Sequence, residues 1–308
     1  MRIGITGATG FIGQCLLRDY AGKHEFVAFT PNEAKPTLFR HPSVSYVHID
    51  RQNAETVVAA KGANGFSELC NCDAAVNLGF ARPTVGKSDS FNDYIPSILA
   101  TNAFLCACVE NGLSNIAHIS TRSVYGLHMP IPHHESEAIA PFSNYGAAKS
   151  AAESIASVFN EAGKTHIKIL RLAQIIGADE YQGVVAASMK AAHEGRPLQI
   201  WGEGTETRCE YLYVRDAASA IIAALEHPEA TGVFNIGTGV MTTVAELASA
   251  VQAAYGDREV FIERHPEKKV ARRDACMDVD KAFKVFGWRA SYTLQEALAD
   301  IRREVESR

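Results

Sequence analysis

The first half of the chain alternates short apolar runs with longer segments whose apolar residues recur at helical spacing. Six β-rich runs stand at 2–6, 25–30, 44–49, 73–78, 115–120 and 166–171. Strands that alternate with helical segments pair in parallel and are covered by helices on both faces. The pattern therefore predicts an α/β fold built on a doubly wound, Rossmann-type parallel sheet.

Three glycines, Gly7, Gly10 and Gly13, stand where the first run gives way to the first helical segment. In such a turn the first glycine permits a tight bend, the second lets a pyrophosphate approach the backbone, and the third lets the helix lie close to the strand. The spacing is Gly-x-x-Gly-x-x-Gly, not the better-known Gly-x-Gly-x-x-Gly. We interpret it as a dinucleotide site; the alternative is a glycine-rich turn that binds nothing.

The ends of the second and third runs bear on the choice between NAD and NADP. An acidic residue at the end of the second strand would grip the 2′-hydroxyl of NAD, but Thr30 stands there. Lys35 and Arg40 are close enough in sequence to hold a 2′-phosphate, so NADP stays open. Asp50 closes the third run, where it could accept a hydrogen bond from adenine or instead cap the next helix.

The strongest chemical motif is Tyr145-Gly-Ala-Ala-Lys149, which follows a hydroxyl-rich strand end at 120–123. Residues four apart share one face of a helix, so the Lys149 ammonium can lie near the Tyr145 phenol and a cofactor ribose. A free phenol has a pKa of about 10, and a neighbouring cation favours the phenolate. The Thr121 hydroxyl can hydrogen-bond the same substrate oxygen. The motif predicts a tyrosine that acts as acid and base.

Composition and charge narrow the class of partner. The chain has 308 residues, a formal charge of −5 and 47% hydrophobic residues, as in ordinary globular proteins. A nucleic-acid surface needs clustered basic residues, and the longest such cluster, at 268–273, is short. No apolar run approaches the roughly 20 residues of a membrane span. We therefore expect neither a nucleic-acid partner nor a membrane contact.

The cysteines and histidines give no sign of a metal or disulfide framework. The seven cysteines are odd in number and lack Cys-x-x-Cys spacing, so we interpret them as reduced thiols. The glycine turn begins at residue 7, which leaves no room for a signal peptide before it, and we expect a cytoplasmic protein. His133 and His134 lie in a segment typical of an exposed turn, and we expect no metal site.

These motifs resemble those of the extended short-chain dehydrogenases/reductases of the NAD-dependent epimerase/dehydratase family, whose best-known members act on nucleotide sugars. The resemblance covers nearly the whole chain. It includes 170–177, similar to the family's Leu-Arg-x-x-Asn-x-x-Gly, and three segments specific to the extended branch, at 201–208, 211–216 and 232–239.

The resemblance implies a role for each matching residue. Tyr145 would be the acid/base, Lys149 its activator and ribose anchor, and Thr121 the hydroxyl partner. The implied cofactor contacts are Gly7, Gly10, Phe11, Ile12 and Gly13 at the pyrophosphate, Asp50 and Arg51 at the adenine, and also Thr30, Leu78, Gly79 and Asn102. The implied substrate contacts are Arg82, Ser123, Gln174 and Arg208, the last at a diphosphate. For Arg82 and Arg208 the alternative is a surface cation.

Departures from the family pattern bear on the reaction. Sugar 4,6-dehydratases follow the catalytic Thr with Asp-Glu, whereas this chain has Arg122 and Ser123, so we do not expect dehydration. Gln174 stands where many members have asparagine. The remaining motifs look most like the 4-epimerases, and we expect an NAD-dependent nucleotide-sugar epimerase that transfers hydride at a sugar carbon. The alternatives are an NADPH-dependent 4-ketoreductase and a non-catalytic dinucleotide-binding sensor.

The resemblance also implies a division into two lobes. We expect residues 1–172 with 211–238 to bind the dinucleotide, and 173–210 with 239–308 to form a smaller substrate-binding lobe. Substrate and nicotinamide would meet at the carboxyl ends of the strands. Family members commonly pair through the helices that correspond to 92–111 and 145–162, so we expect a homodimer.

Overall fold

A computed structural model of the chain describes residues 1–31, 39–49, 65–83, 89–126, 130–180, 182–270 and 274–307. Seven strands form its main sheet: β1 (Arg2–Thr6), β2 (Glu25–Thr30), β3 (Val44–His48), β4 (Ala74–Asn77), β5 (Asn115–Thr121), β6 (His166–Leu172) and β10 (Gly232–Ile236). All neighbours are parallel, in the order β10-β6-β5-β4-β1-β2-β3. The six predicted runs coincide with the first six strands, and the predicted sheet is confirmed.

Two small sheets lie outside the main one. Strands β7 (Gln174–Ile176), β9 (Arg208–Tyr213) and β11 (Met241–Thr243) form one, with β9 in the middle. Strands β8 (Leu198–Trp201) and β12 (Ile262–His265) pair in parallel to form the other. Strand β9 crosses the predicted lobe boundary at residue 211, and the exact division into lobes stays a prediction.

Eight α-helices are described: α1 (Phe11–Tyr20), α2 (Ile95–Glu110), α3 (Asn144–Glu161), α4 (Gly183–His193), α5 (Val214–Leu225), α6 (Val244–Ala254), α7 (Asp280–Phe286) and α8 (Leu294–Glu306). Helices α1 and α5 pack together on one face of the main sheet, and α2 and α3 pack together on the other. Strands covered on both faces are buried along nearly their whole length, and all four residues of β4 are buried.

The register of the main sheet brings the ends of its central strands to one edge. Thr6 of β1 pairs with Asn77 of β4, and Asn77 pairs with His118 of β5. Strand β5 ends three residues later at Thr121. Because the strands are parallel, the residues that follow β1, β4 and β5 all emerge at the carboxyl edge, where ligands bind in open α/β sheets.

Two further observations concern membrane-spanning helices and disulfide bonds. Within the described ranges, no helix combines the length and the apolar character needed to span a bilayer. No disulfide bond joins any of the seven cysteines, all of which lie in the described part of the chain.

Candidate active site

The glycine turn after β1 packs directly against the backbone that follows β4. Gly7 has a φ of 72°, a left-handed conformation that favours glycine. A Cβ on Gly7 would lie 2.6 Å from the carbonyl carbon of Leu78 and 2.7 Å from the nitrogen of Gly79. A Cβ on Gly13 would lie 2.4 Å from the oxygen of Gly7. The predicted roles of Gly7 and Gly13 thus have a steric basis, because any side chain would push the turn, α1 and the β4 loop apart.

The N-terminus of α1 can receive an anion. Gly10 caps the helix without a side-chain hydrogen bond, and the first turn contains no acidic residue. The first N–H groups of a helix lack intrahelical partners and carry a partial positive charge. The Phe11 ring is turned away onto Gly177, where a Cβ would lie 2.6 Å from it. No side chain caps the start of the helix at Phe11 and Ile12, and the predicted contact of their backbone with a pyrophosphate stays a prediction.

A buried polar network fixes the turn to the neighbouring strands. Thr6 Oγ1 donates to Asn77 Oδ1 at 2.8 Å and accepts from the Gly79 nitrogen at 3.2 Å. Asn77 Nδ2 in turn donates to Thr101 Oγ1 at 3.4 Å and contacts His118 Nδ1 at 3.2 Å. The sequence analysis did not identify Asn77, Thr101 or His118, since their pairing depends on the order of strands in the sheet.

His118 stays neutral at this position. Burial, together with the charge of Lys149, lowers the pKa of His118 to about 3. Its Nε2 has no hydrogen-bond partner among the described residues. A neutral imidazole completes the polar network without adding a second positive charge beside Lys149.

The other predicted cofactor residues differ in burial, and some of them lie outside the described residues. Thr30 ends β2 and is buried, and its carbonyl accepts from the nitrogen of Ile49 at 3.0 Å. Asn102 is half-buried on α2, on the flank next to Thr101, which is the residue that contacts Asn77. Lys35, Asp50 and Arg51 lie outside the described residues, and Arg40 is exposed.

The start of α3 brings Tyr145 to the end of β5. Ser143 caps the helix by accepting a hydrogen bond from the Gly146 nitrogen at 3.1 Å. A Cβ on Gly146 would lie 2.4 Å from the carbonyl oxygen of Ser123, so only glycine allows this approach. Thr121 accepts a hydrogen bond from the Ser123 nitrogen at 3.2 Å and donates to its hydroxyl at 3.3 Å. The predicted residues Thr121, Ser123 and Tyr145 thus lie on adjoining segments.

Lys149 is buried beneath an aromatic ring. Its Nζ donates to the Ile119 carbonyl at 2.8 Å and lies 4.1 Å from the centre of the Phe80 ring. Burial lowers the pKa of Lys149 to about 7, although the charge of Glu153 opposes the shift. The ammonium therefore binds the strand carbonyl, and no hydrogen bond joins it to Tyr145 in the described structure.

The environment of Tyr145 raises its pKa. The ring contacts Phe80 and Tyr94, at 6.3 Å and 5.8 Å between ring centres. Burial raises the pKa of Tyr145 to about 12, and the charge of Arg82 only partly opposes this. The expectation that a neighbouring cation lowers this pKa is therefore not met, because desolvation of the phenolate outweighs the nearby charge. Phe80 and Tyr94 were not foreseen, since an isolated aromatic residue carries no positional signal.

The predicted substrate residues interact with side chains from other segments of the chain. Arg82, in the loop after β4, donates to Glu180 Oε2 at 2.7 Å, in the segment between β7 and α4. Arg208 makes an ion pair of 2.7 Å with Asp274, which also accepts from the Arg208 backbone nitrogen at 3.0 Å. A diphosphate would have to displace Asp274 from Arg208, so that role stays a prediction. The side chain of Gln174 is oriented by a hydrogen bond, because its Oε1 accepts from Arg122 at 3.3 Å.

A buried ion pair anchors α3 to the sheet behind the site. Glu153 and Arg171 are each 3% exposed and lie 2.7 Å apart. Ser120 also donates to Glu153, while Arg171 donates to the Tyr125 hydroxyl at 2.9 Å. That hydroxyl donates to Asn235 Oδ1 at 2.7 Å. A buried pair with its remaining atoms hydrogen-bonded holds a fixed geometry, which here sets the position of Tyr145 and Lys149 along β5.

The expectation of an exposed turn at His133 is wrong. His133 is buried, stacks on Tyr125 with 4.7 Å between ring centres, and contacts Glu137 at 3.1 Å. A backbone bridge to Met277 covers it, and this long-range contact could not be read from local composition. His134 is exposed as expected. No group of three metal-ligating side chains occurs among the described residues.

Comparisons with known proteins agree with this geometry. The family model described as NAD dependent epimerase/dehydratase family matches residues 3–237. A dTDP-L-rhamnose 4-epimerase of Burkholderia thailandensis is 30% identical over 168 residues, which are 53% of this chain and 46% of that protein. A UDP-glucose 4-epimerase of Mycolicibacterium smegmatis is 28% identical over 97% of this chain and 96% of its own length.

A solved structure shares the whole fold. MoeE5 in complex with UDP-glucuronic acid and NAD superposes with a TM-score of 0.81 at 26% identity, covering 100% of both chains. The same protein has also been solved in complex with UDP-glucose and NAD.

Proposed function

Because the chain belongs to the NAD-dependent epimerase/dehydratase family, we propose that it is a nucleotide-sugar 4-epimerase that uses NAD. One observation carries the proposal: the start of α3 packs on the 121–123 turn through Gly146, which sets Tyr145 beside Thr121 and Ser123 at the carboxyl edge of the sheet. The relatives with that activity and the intact Tyr145-x-x-x-Lys149 motif support it.

The glycine turn and α1 fit an NAD pyrophosphate. Side chains at Gly7 and Gly13 would clash with the backbone, and the uncapped helix start offers N–H groups with no acidic neighbour. Gly7, Gly10 and Gly13, with the backbone of Phe11 and Ile12, would hold the pyrophosphate, and Lys149 would hold the nicotinamide ribose. When bound, NAD supplies the hydride acceptor and donor of the reaction.

The side chains around Tyr145 then have separate tasks. Tyr145 takes the proton of the hydroxyl group on the reacting sugar carbon. It returns that proton when the resulting ketone is reduced from its opposite face. Thr121 hydrogen-bonds the same oxygen and orients it. Tyr145 has a pKa of about 12 in the described structure, so the phenol needs a positive charge nearby to act as a base at neutral pH. Lys149 provides that charge once it is protonated.

We further propose that two chains pair through α2 and α3. Phe91, Ile95 and Val158 leave large apolar side chains exposed on or beside these two helices, and Val158 is 69% exposed. Large apolar side chains exposed on two helices that pack together can form part of a subunit contact. We also place the protein in the cytoplasm, since thiols without disulfides are typical of a reducing compartment.

The deciding experiment combines cofactor recovery with turnover. The purified protein is denatured and the released ligand identified by mass spectrometry; we expect NAD at about one per chain. The intact protein is then incubated with UDP-glucose, UDP-glucuronic acid and their 4-epimers without added cofactor, and the products are separated by chromatography. Interconversion of any 4-epimer pair supports the proposal.

Two variants make the test specific. Tyr145→Phe should retain NAD but lose at least about 100-fold in turnover, since general acid–base catalysis contributes about 10²–10⁴-fold. Tyr20→Phe, at the far end of α1, is the matched control and should retain activity. An empty protein that consumes NADPH with a 4-keto sugar would identify the ketoreductase instead. Bound dinucleotide with no turnover on any substrate would identify a sensor.

A further inference from the structure

Three arginines approach the candidate substrate cleft, and two of them already have carboxylate partners. Arg82 donates to Glu180 at 2.7 Å, and Arg208 pairs with Asp274 at 2.7 Å. Arg122 makes no ion pair with any residue in the described part of the chain. Its one side-chain hydrogen bond there runs from Nη2 to the Gln174 amide oxygen at 3.3 Å.

The guanidinium of Arg122 is held in place but is largely unused. Arg122 is half-buried and begins the short 3-10 helix Arg122–Val124, in which the Thr121 side chain accepts a hydrogen bond from the Ser123 nitrogen. A guanidinium has five N–H donors in a planar fork, and the single bond to Gln174 uses one of them. The remaining donors can receive a planar anion in a bidentate arrangement.

Glu210, a buried carboxyl group on which the charge of Arg122 acts, makes no hydrogen bond to Arg122 within the described structure. Glu210 is buried, and its two oxygens accept hydrogen bonds from the backbone nitrogens of Thr238, Gly239 and Met277. Burial raises the pKa of Glu210, while those N–H donors and the charge of Arg122 oppose the shift. The hydrogen bonds of Glu210 thus join β9 to the segments that follow β10 and precede α7. The guanidinium of Arg122 keeps N–H donors that can bind a ligand.

The position of Arg122 favours the sugar over the diphosphate as its target. Arg122 directly follows Thr121 and directly precedes Ser123, whose carbonyl oxygen packs closely against Gly146, the neighbour of Tyr145 in the chain. Arg122 therefore belongs to the turn whose hydroxyl groups would meet the reacting sugar, and its guanidinium lies beside Gln174, another predicted substrate residue. The planar fork of a guanidinium matches a carboxylate, and oxidation of the C6 hydroxymethyl group of a neutral hexose gives such a carboxylate on the sugar ring.

We propose that Arg122 selects nucleotide sugars that carry a carboxylate on the sugar ring, so that a nucleotide-linked uronic acid is the substrate class. The inference rests on the proposed function, which places the sugar at Tyr145. A neutral hexose would leave the half-buried guanidinium without an ion pair. A carboxylate in bidentate contact binds more tightly, by about 10- to 100-fold, because hydrogen bonds between charged groups contribute about 1.5–3 kcal/mol.

Matched ligands test the inference by binding alone. UDP-glucuronic acid and UDP-glucose differ only at C6, and UDP lacks the sugar. Each is titrated calorimetrically into NAD-loaded Tyr145→Phe protein, which binds without turning over. We expect UDP-glucuronic acid to bind at least 10-fold more tightly than UDP-glucose. Adding Arg122→Gln should abolish that preference while leaving UDP and UDP-glucose unchanged, and Arg122→Lys should restore part of it.

The control is Arg196→Gln, which removes an exposed arginine paired with Glu194 and should leave the preference intact. Equal loss of all three ligands in Arg122→Gln would mean that Arg122 binds the diphosphate, and the inference would fail. It would fail equally if the unmodified site showed no preference, even with UDP-glucose epimerised. A preference that depends on Arg122 without any epimerisation would instead retain anion selection and reject the proposed reaction. The Arg122→Lys variant decides the matter if Arg122→Gln does not fold.

Discussion

At the scale of single residues, the site holds a lysine in a buried position that disfavours its charged form. Lys149 is 4% exposed and has the Ile119 carbonyl and the Phe80 ring as its neighbours. Burial lowers its pKa from an ordinary 10.5 to about 7. A charge held where water is excluded destabilises the folded chain but is available to a bound ribose, and this trade between stability and function is typical of catalytic sites.

We predict that Lys149→Met stabilises the cofactor-free protein while abolishing turnover. The pKa is about 7 in the folded state and 10.5 when unfolded, so the unfolded chain binds more protons between those values. The free energy of unfolding therefore rises with pH across that window, and the full penalty remains at and below pH 7. The variant also loses the hydrogen bond that Lys149 donates to the Ile119 carbonyl. The net effect of Lys149→Met should be a rise of about 1–3 kcal/mol in the free energy of unfolding at pH 7.

Urea unfolding at several pH values between 6 and 10.5 checks this prediction. The gain from Lys149→Met should shrink as pH rises across that window. Lys190→Met, at an exposed lysine of α4, is the control and should change little. Destabilisation by Lys149→Met at every pH would show that the ammonium contributes net stability where it lies.

At the scale of elements, the β1 turn, α1 and the β4 loop form one close-packed unit. Gly7 contacts the backbone of Leu78 and Gly79, and Gly13 contacts the backbone of Gly7 and Ala8. These are backbone contacts, which cannot be relieved by rotating a side chain. Gly10 differs, because a Cβ there would lie 3.2 Å from the Gly7 oxygen and would approach no other described segment within 4 Å.

Alanine at Gly10 and at Gly13 should therefore separate cofactor binding from folding. Gly13→Ala forces a Cβ within 2.4 Å of the Gly7 oxygen, and we expect a loss of about 2–4 kcal/mol in the free energy of unfolding. Gly10→Ala should cost less than about 1 kcal/mol yet weaken NAD binding at least about 10-fold, because its methyl group occupies the approach of the pyrophosphate. Thermal unfolding without ligand and calorimetric titration with NAD measure the two effects. Equal effects of both changes would contradict this assignment.

At the scale of the whole molecule, long-range contacts join the small sheets to the main one. The Phe11 ring at the glycine turn packs on Gly177, which follows β7. Glu210 of β9 accepts hydrogen bonds from segments that follow β10 and precede α7. These contacts tie the predicted substrate-binding segments to the turn that would hold the cofactor.

The proposed pairing through α2 and α3 also belongs to this scale. Val158→Asp places a charge on α3 in the proposed interface, and we expect a dimer to become a monomer in light scattering after size exclusion, because a buried unpaired charge is costly. Val240→Asp is the matched control, since Val240 is 64% exposed, compared with 69% for Val158, but lies outside both helices. A monomeric parent protein, or a Val158→Asp variant that still dimerises, would reject this interface.

The sequence by itself determined the features that depend on neighbours in the chain. Alternating strand and helix patterns identified the six strands, because a strand or helix repeats its apolar positions within a few residues. The glycine turn was recognisable for the same reason: Gly7, Gly10 and Gly13 act within one strand-to-helix connection. The spacing of Tyr145 and Lys149 placed them on one face of one helix, α3.

Only the tertiary structure decided which distant residues meet and how burial changes their chemistry. Asn77 joins Thr6, Thr101 and His118 because β1, β4 and β5 are neighbours in the sheet, an order that no local pattern contains. Tyr145 illustrates the same limit, since its pKa rises through exclusion of water by rings from other segments. Desolvation and ion pairing are properties of packed space, whereas periodicity and turn chemistry are properties of the chain.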